Sequence, residues 1–252
     1  DLLFGADGAS STVRGLLGVT FEGMTYPERF VIVSIAEDMA AAIPSLSYVN
    51  YLADPEEFVF ILRTPESWRV LVPIPPDESD DEALGDERLQ RTLQGVAAQP
   101  QPYTIINRQI YKVHQRVAGK MAVGRVLLMG DAAHINSPIG GVGLNNGIHD
   151  ASDAAIRVAR IAAGADLRAE FDAYNDVRRR VALQYVQADT HRNTLILKES
   201  DAERRWREVS RMAEIAADPL QACEYLRRVS LLESIRLYGI GRPPEALQKV
   251  LS

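Results

Sequence analysis

Between residues 126 and 162 the chain carries a succession of residues that few architectures accommodate. Val126-Leu127-Leu128-Met129 is an apolar run of buried-strand type, and Gly130-Asp131 ends it with a glycine and an acid. Glycines recur at 140, 141 and 143, and from Leu144 the apolar period becomes helical. Leu144, Ile148, Ala151, Ala155, Val158 and Ala162 are spaced 4, 3, 4, 3, 4, which marks one helix face. Its many alanines predict close packing on a sheet. A strand, a glycine-rich turn and a helix in immediate succession make a ligand crevice of the kind found beyond the carboxyl ends of strands in α/β sheets. The helix start offers unpaired N–H groups and about half a positive charge to an anion or an electron-rich ring. Gly140, Gly141 and Gly143 lack a Cβ, so a flat ring or a phosphate can touch the main chain there. Asp131 is placed to accept hydrogen bonds from the hydroxyls of a sugar or polyol.

The remaining segments sort by pattern. Asp1-Leu2-Leu3-Phe4-Gly5 reads as a short buried strand running into a glycine turn. Segments 30–35, 47–52, 57–63 and 68–74 are rich in β-branched and aromatic residues. Asp54-Pro55 and Thr64-Pro65 punctuate them, which predicts an antiparallel meander. Residues 77–86 are acidic and turn-rich, read as solvated surface; a polar helix is expected over 87–98 and a strand over 105–113. Helices are predicted over 169–197, 202–217 and 220–237, the last two split by Asp218-Pro219, with Gly239 to Pro244 ending regular structure.

Composition narrows the function classes. With 252 residues, 46% hydrophobic and 25% charged, the chain is long and apolar enough for a large core. Its net charge is −6 and its longest basic run is Arg178-Arg179-Arg180, which sets nucleic acid aside as a partner. No apolar run approaches the ~18 residues of a transmembrane span. The lone Cys223 offers neither a disulfide nor a CxxC metal site, which fits a reducing compartment and predicts a cytoplasmic protein. No His and carboxylate set shows metal spacing, so no metal is expected, and His134 reads as a structural hydrogen-bonder. Ser10-Ser11 lacks a GxSxG elbow, which argues against a hydrolase.

Two strings are far more specific than a glycine-rich loop. Gly130-Asp131-Ala132-Ala133-His134, Pro138, Gly141-Val142-Gly143-Leu144-Asn145 and Asp150-Ala151 together resemble the second FAD motif of the single-component FAD-dependent aromatic hydroxylases. These are the flavoprotein monooxygenases of the p-hydroxybenzoate hydroxylase fold, whose motif reads GDAAH, Pro, GxGxN, DA. Gly5-Ala6-Asp7-Gly8-Ala9-Ser10-Ser11-Thr12-Val13-Arg14 is similar to the same family's DG motif. Asp7 and Asp131 lie 124 positions apart with a strand-rich region between, as in the family. Residues 113–118 and 124–128 share the likeness, which is close over residues 1–165.

The resemblance implies a mixed α+β and α/β fold, part of the p-hydroxybenzoate hydroxylase-like FAD-binding fold. It implies a DG-motif part over 1–20, a mostly antiparallel substrate sheet over 21–118, a GD-motif part over 119–165 and a C-terminal helical region over 166–252. It further implies FAD as cofactor, with Gly130 at the turn, Asp131 on the ribityl chain and Pro138 beside the ring. Gly141, Val142, Gly143, Leu144 and Asn145 would face the pyrimidine edge, where a helix N-terminus stabilises the negative charge of reduced flavin. Asp7, Gly8 and Arg14 are expected to help hold FAD and the pyridine nucleotide. The implied reaction uses NADH or NADPH and O2 through a flavin hydroperoxide to hydroxylate a small aromatic substrate. No residue is singled out as catalytic.

The sequence departs from the family in two places. The family's first FAD motif, GxGxxG, occurs nowhere, and residue 1 already lies in a strand, so a piece of a longer protein is expected. The alternatives are a truncated or degenerate fragment without independent activity, or a related flavin-dependent halogenase or reductase. Asp153 and Ile156-Arg157 stand where the family often has Asn and Trp-Lys, and are expected to affect helix packing more than chemistry. The sequence leaves open the aromatic substrate, the choice between NADH and NADPH, whether the chain binds FAD without the unit that carries GxGxxG, the oligomeric state and a peripheral membrane role.

Overall fold

A computed structural model describes residues 1–52, 59–197 and 199–242. The expected Asp54-Pro55 turn, the first two residues of the strand over 57–63, and Pro243-Pro244 lie outside the described residues. The chain is a mixed α/β structure with an antiparallel sheet and C-terminal helices, and it forms two compact units. One comprises residues 1–25, 114–195 and those from Trp206 onward; the other comprises 26–113 and 196–205.

In order, the elements are β1 (Leu3–Gly5), α1 (Thr12–Leu16), β2 (Phe21–Ile35), β3 (Val49–Leu52), β4 (Val59–Arg63) and β5 (Trp68–Ile74). They continue with α2 (Asp80–Ala83), α3 (Asp86–Val96), β6 (Ile105–Ala118), β7 (Ala122–Val123), β8 (Val126–Leu128) and β9 (His134–Ile135). The helices α4 (Gly143–Ala162), α5 (Leu167–Val181), α6 (Ala188–Leu197), α7 (Ala202–Ala217), α8 (Pro219–Val229) and α9 (Leu232–Tyr238) follow among the described residues.

The unit of residues 26–113 is built on antiparallel pairing. β3, β4 and β5 form a meander, and β2 lies along β5, not β3, with Val31 opposite Val72, Val33 opposite Val70 and Ile35 opposite Trp68. Alternate residues therefore share a face, and Val31, Val33, Ile35, Val70, Val72 and Ile74 are buried with Ile61. Leu89 and Leu93, one turn apart on α3, close this core. The acidic stretch expected to be mere surface contains α2, opened by a capping box in which Ser79 and Glu82 satisfy each other's backbone N–H.

The other unit holds both sequence motifs. β1 and β8 are parallel neighbours, with Leu3 opposite Val126 and Gly5 opposite Leu128, and β7 joins β8 antiparallel. Leu127 and Leu128 pack with Phe171 and Tyr174 of α5. β1 is a strand as expected, but Leu3 and Phe4 are not buried: it is an edge strand of this small sheet, and they stay about half exposed. The long helix predicted over 169–197 is α5 and α6 joined by π-helical residues Ala182–Gln187. The one predicted over 220–237 is broken at Leu231, which takes a left-handed conformation (φ 64°) between α8 and α9.

The orientation of α4 corrects the sequence reading. Its apolar stripe faces outward: Leu144 is 78% and Ile148 53% exposed, and Ala151, Ala155 and Ala162 are exposed too. The buried stripe is Asn146, Asp150, Asp153, Ala154 and Arg157. Polar side chains tolerate this burial because each finds a partner: Asp150 and Asn146 meet Arg178 of α5, and Asp153 and Arg157 pair with each other while Arg157 also meets Glu170 of α5. Asp153 and Arg157 thus serve helix packing. Among the described residues, no helix is long and apolar enough to cross a membrane.

Candidate functional site

Both motif turns leave the carboxyl ends of adjacent parallel strands. The DG turn follows β1 and the GD turn follows β8, so residues 124 positions apart become neighbours, and the Met129 N–H donates to the Gly5 carbonyl at 3.0 Å. Gly5 permits this closeness, since a Cβ there would lie 2.7 Å from the Leu128 side chain. Arg14 fastens the two turns together. Its guanidinium donates to the Ala132 carbonyl at 2.8 Å and to the Ala9 carbonyl at 2.7 Å, and it lies 3.7 Å over the Phe21 ring.

Asp7 is exposed, and its carboxylate organises its own turn. It accepts from Ser11 Oγ at 2.6 Å and from the Val13 N–H at 3.1 Å, while Ser11 Oγ accepts from the Arg14 N–H and caps α1. Gly8 supplies the positive φ (82°) on which the turn depends. The Ser11 hydroxyl, then the Val13 N–H, hold the Asp7 carboxyl below its ordinary value of 3.8. A lowered carboxyl stabilises the turn above the ordinary value and loses that contribution as pH falls through the folded one. Amide protection over residues 8–14, taken relative to the exchange rate of an unstructured chain at the same pH, is therefore expected to fall below pH 3.8 in the wild type and to lose that dependence in Asp7→Asn, a difference that exchange across a pH series checks.

The GD turn is a single 3-10 turn, Gly130–Ala132, entered through Gly130 at φ 56°. Asp131 is exposed and makes no hydrogen bond among the described residues, which leaves its carboxylate open to a ligand. Beyond it the loop 136–142 is pinned from beneath: Ser137 is fully buried, Thr194 of α6 donates to its hydroxyl at 3.4 Å, and the Gly141 N–H donates to the Pro138 carbonyl at 3.0 Å. Gly140 and Gly141 have φ of 119° and 66° and are exposed, and a Cβ on Gly141 would meet nothing within 4 Å. A flat group can therefore lie against this main chain. The N-terminus of α4 at Val142–Gly143 has no side-chain cap and no acid in its first turn, so its dipole is left for a ligand. The helix presses onto the turn, since a Cβ on Gly147 would sit 3.3 Å from Gly130 Cα.

Behind this surface lies a set of groups the motif reading passed over as site residues. Asp150 Oδ2 accepts from the Gly130 N–H at 3.0 Å and from His134 Nε2 at 2.6 Å, and its Oδ1 accepts from Arg178 Nε at 2.6 Å. Burial alone would raise the Asp150 carboxyl; His134 and Arg178 outweigh it and hold the group low. Tyr174 donates to the Leu128 carbonyl at 3.0 Å, and burial pushes its hydroxyl well above the usual range. His134 is the structural hydrogen-bonder it was expected to be. No spacing rule could have flagged Arg178, which lies 28 residues beyond Asp150 on another helix. Among the described residues, no cluster of His, Cys, Asp or Glu could hold a metal.

The turns, the free Asp131, the bare glycine loop and the uncapped helix suit a planar cofactor with a polyol chain. Known proteins point the same way. The family model described as the FAD binding domain matches residues 1–189. Para-nitrophenol 4-monooxygenase of Pseudomonas sp. (strain WBC-3) is 34% identical over 240 residues, covering 93% of this chain and 59% of that protein. The crystal structure of p-nitrophenol 4-monooxygenase from Pseudomonas putida DLL-E4 superposes with a TM-score of 0.81 at 31% identity, over 96% of this chain and 60% of that one. A ternary complex of aklavinone-11 hydroxylase with FAD and aklavinone matches with a TM-score of 0.66 at 27% identity, over 75% of this chain and 36% of its own. The chain thus spans about 60% of the length of the nitrophenol monooxygenases it matches. With three quarters of its length matched by the family model, this chain belongs to the FAD binding domain family.

Proposed function

We propose that the chain supplies the flavin-ring site of an FAD-dependent aromatic hydroxylase that uses NADH or NADPH and O2. The observation that carries this reading is an exposed Asp131 with no hydrogen bond among the described residues, on a turn against which α4 packs at Gly147, together with the uncapped start of that same helix. Asp131 accepts hydrogen bonds from the ribityl hydroxyls. The main chain from Gly141 to Asn145 faces the pyrimidine edge, where the positive end of α4 holds negative charge, and Pro138 flanks the ring. Gly130 and Gly8 give the turns their shape, Asp7 holds the DG turn and Arg14 ties it to the GD turn. When bound, FAD supplies the electron transfer from NAD(P)H and the activation of O2 that ring hydroxylation needs.

The names of the relatives favour a phenol-class substrate, held by the antiparallel sheet within residues 21–118. Residues 1–20 and 119–165 then form the flavin-binding parts and 166–252 the helical region, in a cytoplasmic enzyme. Retained absorbance between 350 and 500 nm after incubation with FAD and desalting tests the reading. The wild-type chain is expected to keep flavin. Asp131→Ala, which removes a charged acceptor contributing about 1.5–3 kcal/mol, is expected to weaken FAD about ten- to hundredfold. Wild-type protein without flavin, or a variant that retains as much, counts against the assignment.

A further inference from the structure

We infer that Asp150 and Arg178, with His134 and Asn146, form a positioning network that sets the GD turn and so aims Asp131, an inference that rests on the flavin reading above. β8 ends at Leu128, so no strand ladder fixes Gly130, whose φ of 56° is a left-handed conformation. Its N–H is instead held by Asp150 Oδ2 at 3.0 Å. The same carboxylate takes His134 Nε2, just beyond the turn, and Arg178 Nε from α5, both at 2.6 Å. Arg178 also donates through Nη2 to the Asn146 carbonyl at 3.2 Å and to the Asn146 side-chain oxygen. One carboxylate thus joins the entry to the turn, the strand after it, the first turns of α4 and the neighbouring helix. Asp131 is the residue next to the one it holds.

Stability is a poor reason for such a cluster. All four side chains are at most 3% exposed, and apolar residues of similar volume commonly stabilise a core as well as a buried ionic group does. What this ionic group adds is a restricted arrangement, because the Gly130 N–H, His134 and Arg178 all converge on the one Asp150 carboxylate. A second buried ionic group on the same two helices provides the contrast. Arg157 joins Asp153 and Glu170 but makes no contact with the turn, so it ties α4 to α5 without reaching Gly130.

The test uses Asp150→Asn and Arg178→Lys, each combined with Asp131→Ala, in the whole chain with FAD as the probe. Asp150→Asn and Arg178→Lys are each expected to raise the FAD dissociation constant about tenfold, and to add less than twofold once Asp131 is already alanine, since they act through it. Arg157→Lys is the control for general helix packing, and its effect is expected to multiply with that of Asp131→Ala. Amide exchange supplies a reading that needs no flavin: Asp150→Asn should quicken exchange at Gly130 and Asp131 at least tenfold while leaving α3 unchanged. Unaltered FAD affinity, effects that multiply with Asp131→Ala, or unaltered protection of Gly130 would each overturn the inference. If the wild type takes up no FAD, the flavin reading fails, and protection at Gly130 alone decides whether the network holds the turn.

Discussion

Arg157→Met is expected to lower stability by about 3–5 kcal/mol, the cost typical of breaking a buried ion pair from one side. Arg157 is fully buried, donates from Nε to Asp153 at 3.1 Å and from Nη1 to Glu170 at 3.0 Å, and is the side chain that neutralises both. Its loss leaves the fully buried Asp153 carboxylate with only the Gly241 N–H. Arg160, the remaining cation near Glu170, is 3.7 Å away and one-third exposed. For a protein of this length the loss corresponds to a fall in melting temperature of roughly 6–20 °C. The exposed pair Arg168–Asp172, at 3.8 Å, is the internal comparison. Removing it should cost no more than about 0.5 kcal/mol, since both groups stay hydrated. Pairing Arg157→Met with Asp153→Leu should recover part of the loss, because one unpaired charge then disappears from the core. Thermal melts of the four proteins check the order; equal melting points for Arg157→Met and the Arg168 variant would contradict it.

This cluster marks where sequence stops being a guide. The two motif turns were legible through their likeness to the family's strings, and Gly8 and Gly130, which those strings carry, take the positive φ that glycine alone adopts readily. The parallel β1–β8 pairing brings together two motifs that the sequence separates by 124 positions, a neighbourhood that the spacing by itself does not state. α4 begins at Gly143 and α7 runs over 202–217, as the helical period predicts. The buried side of α4 was not legible. Its apolar period points to Leu144 and Ile148, yet Asn146, Asp150, Asp153 and Arg157 are the side chains that go inside. Apolar periodicity assumes that burying charge is unfavourable, and that holds only where no partner exists. Here the partners are Glu170 and Arg178 on α5, a tertiary fact that no window along α4 contains. The break at Leu231 escaped for a related reason: a leucine carries no turn signal, and its left-handed backbone is held by its own burial at 2% exposure.

Gly23→Ala is the second large effect expected, at about 4 kcal/mol. Gly23 sits in β2 at φ 138°, a conformation open to glycine and strained for any residue with a side chain. That strain alone costs about 1–3 kcal/mol. A Cβ would also fall 2.0 Å from the Gln115 carbonyl oxygen and 2.8 Å from Arg116 Cα. These are backbone atoms of β6, where Val117 and Arg116 are paired with β9, so the clash cannot be relieved by turning a rotamer. Overpacking of this kind costs about 1–3 kcal/mol more. The strand must shift, and with it His134, which is opposite Val117 in that pairing and donates to the Asp150 carboxylate. Gly95→Ala is the contrasting substitution: Gly95 lies inside α3 with nothing within 4 Å of an added Cβ, and alanine there should stabilise by about 0.5–1 kcal/mol. Urea titrations of both variants decide the matter. A Gly23→Ala protein as stable as the wild type would mean that β2 and β6 do not approach as closely as the glycine requires.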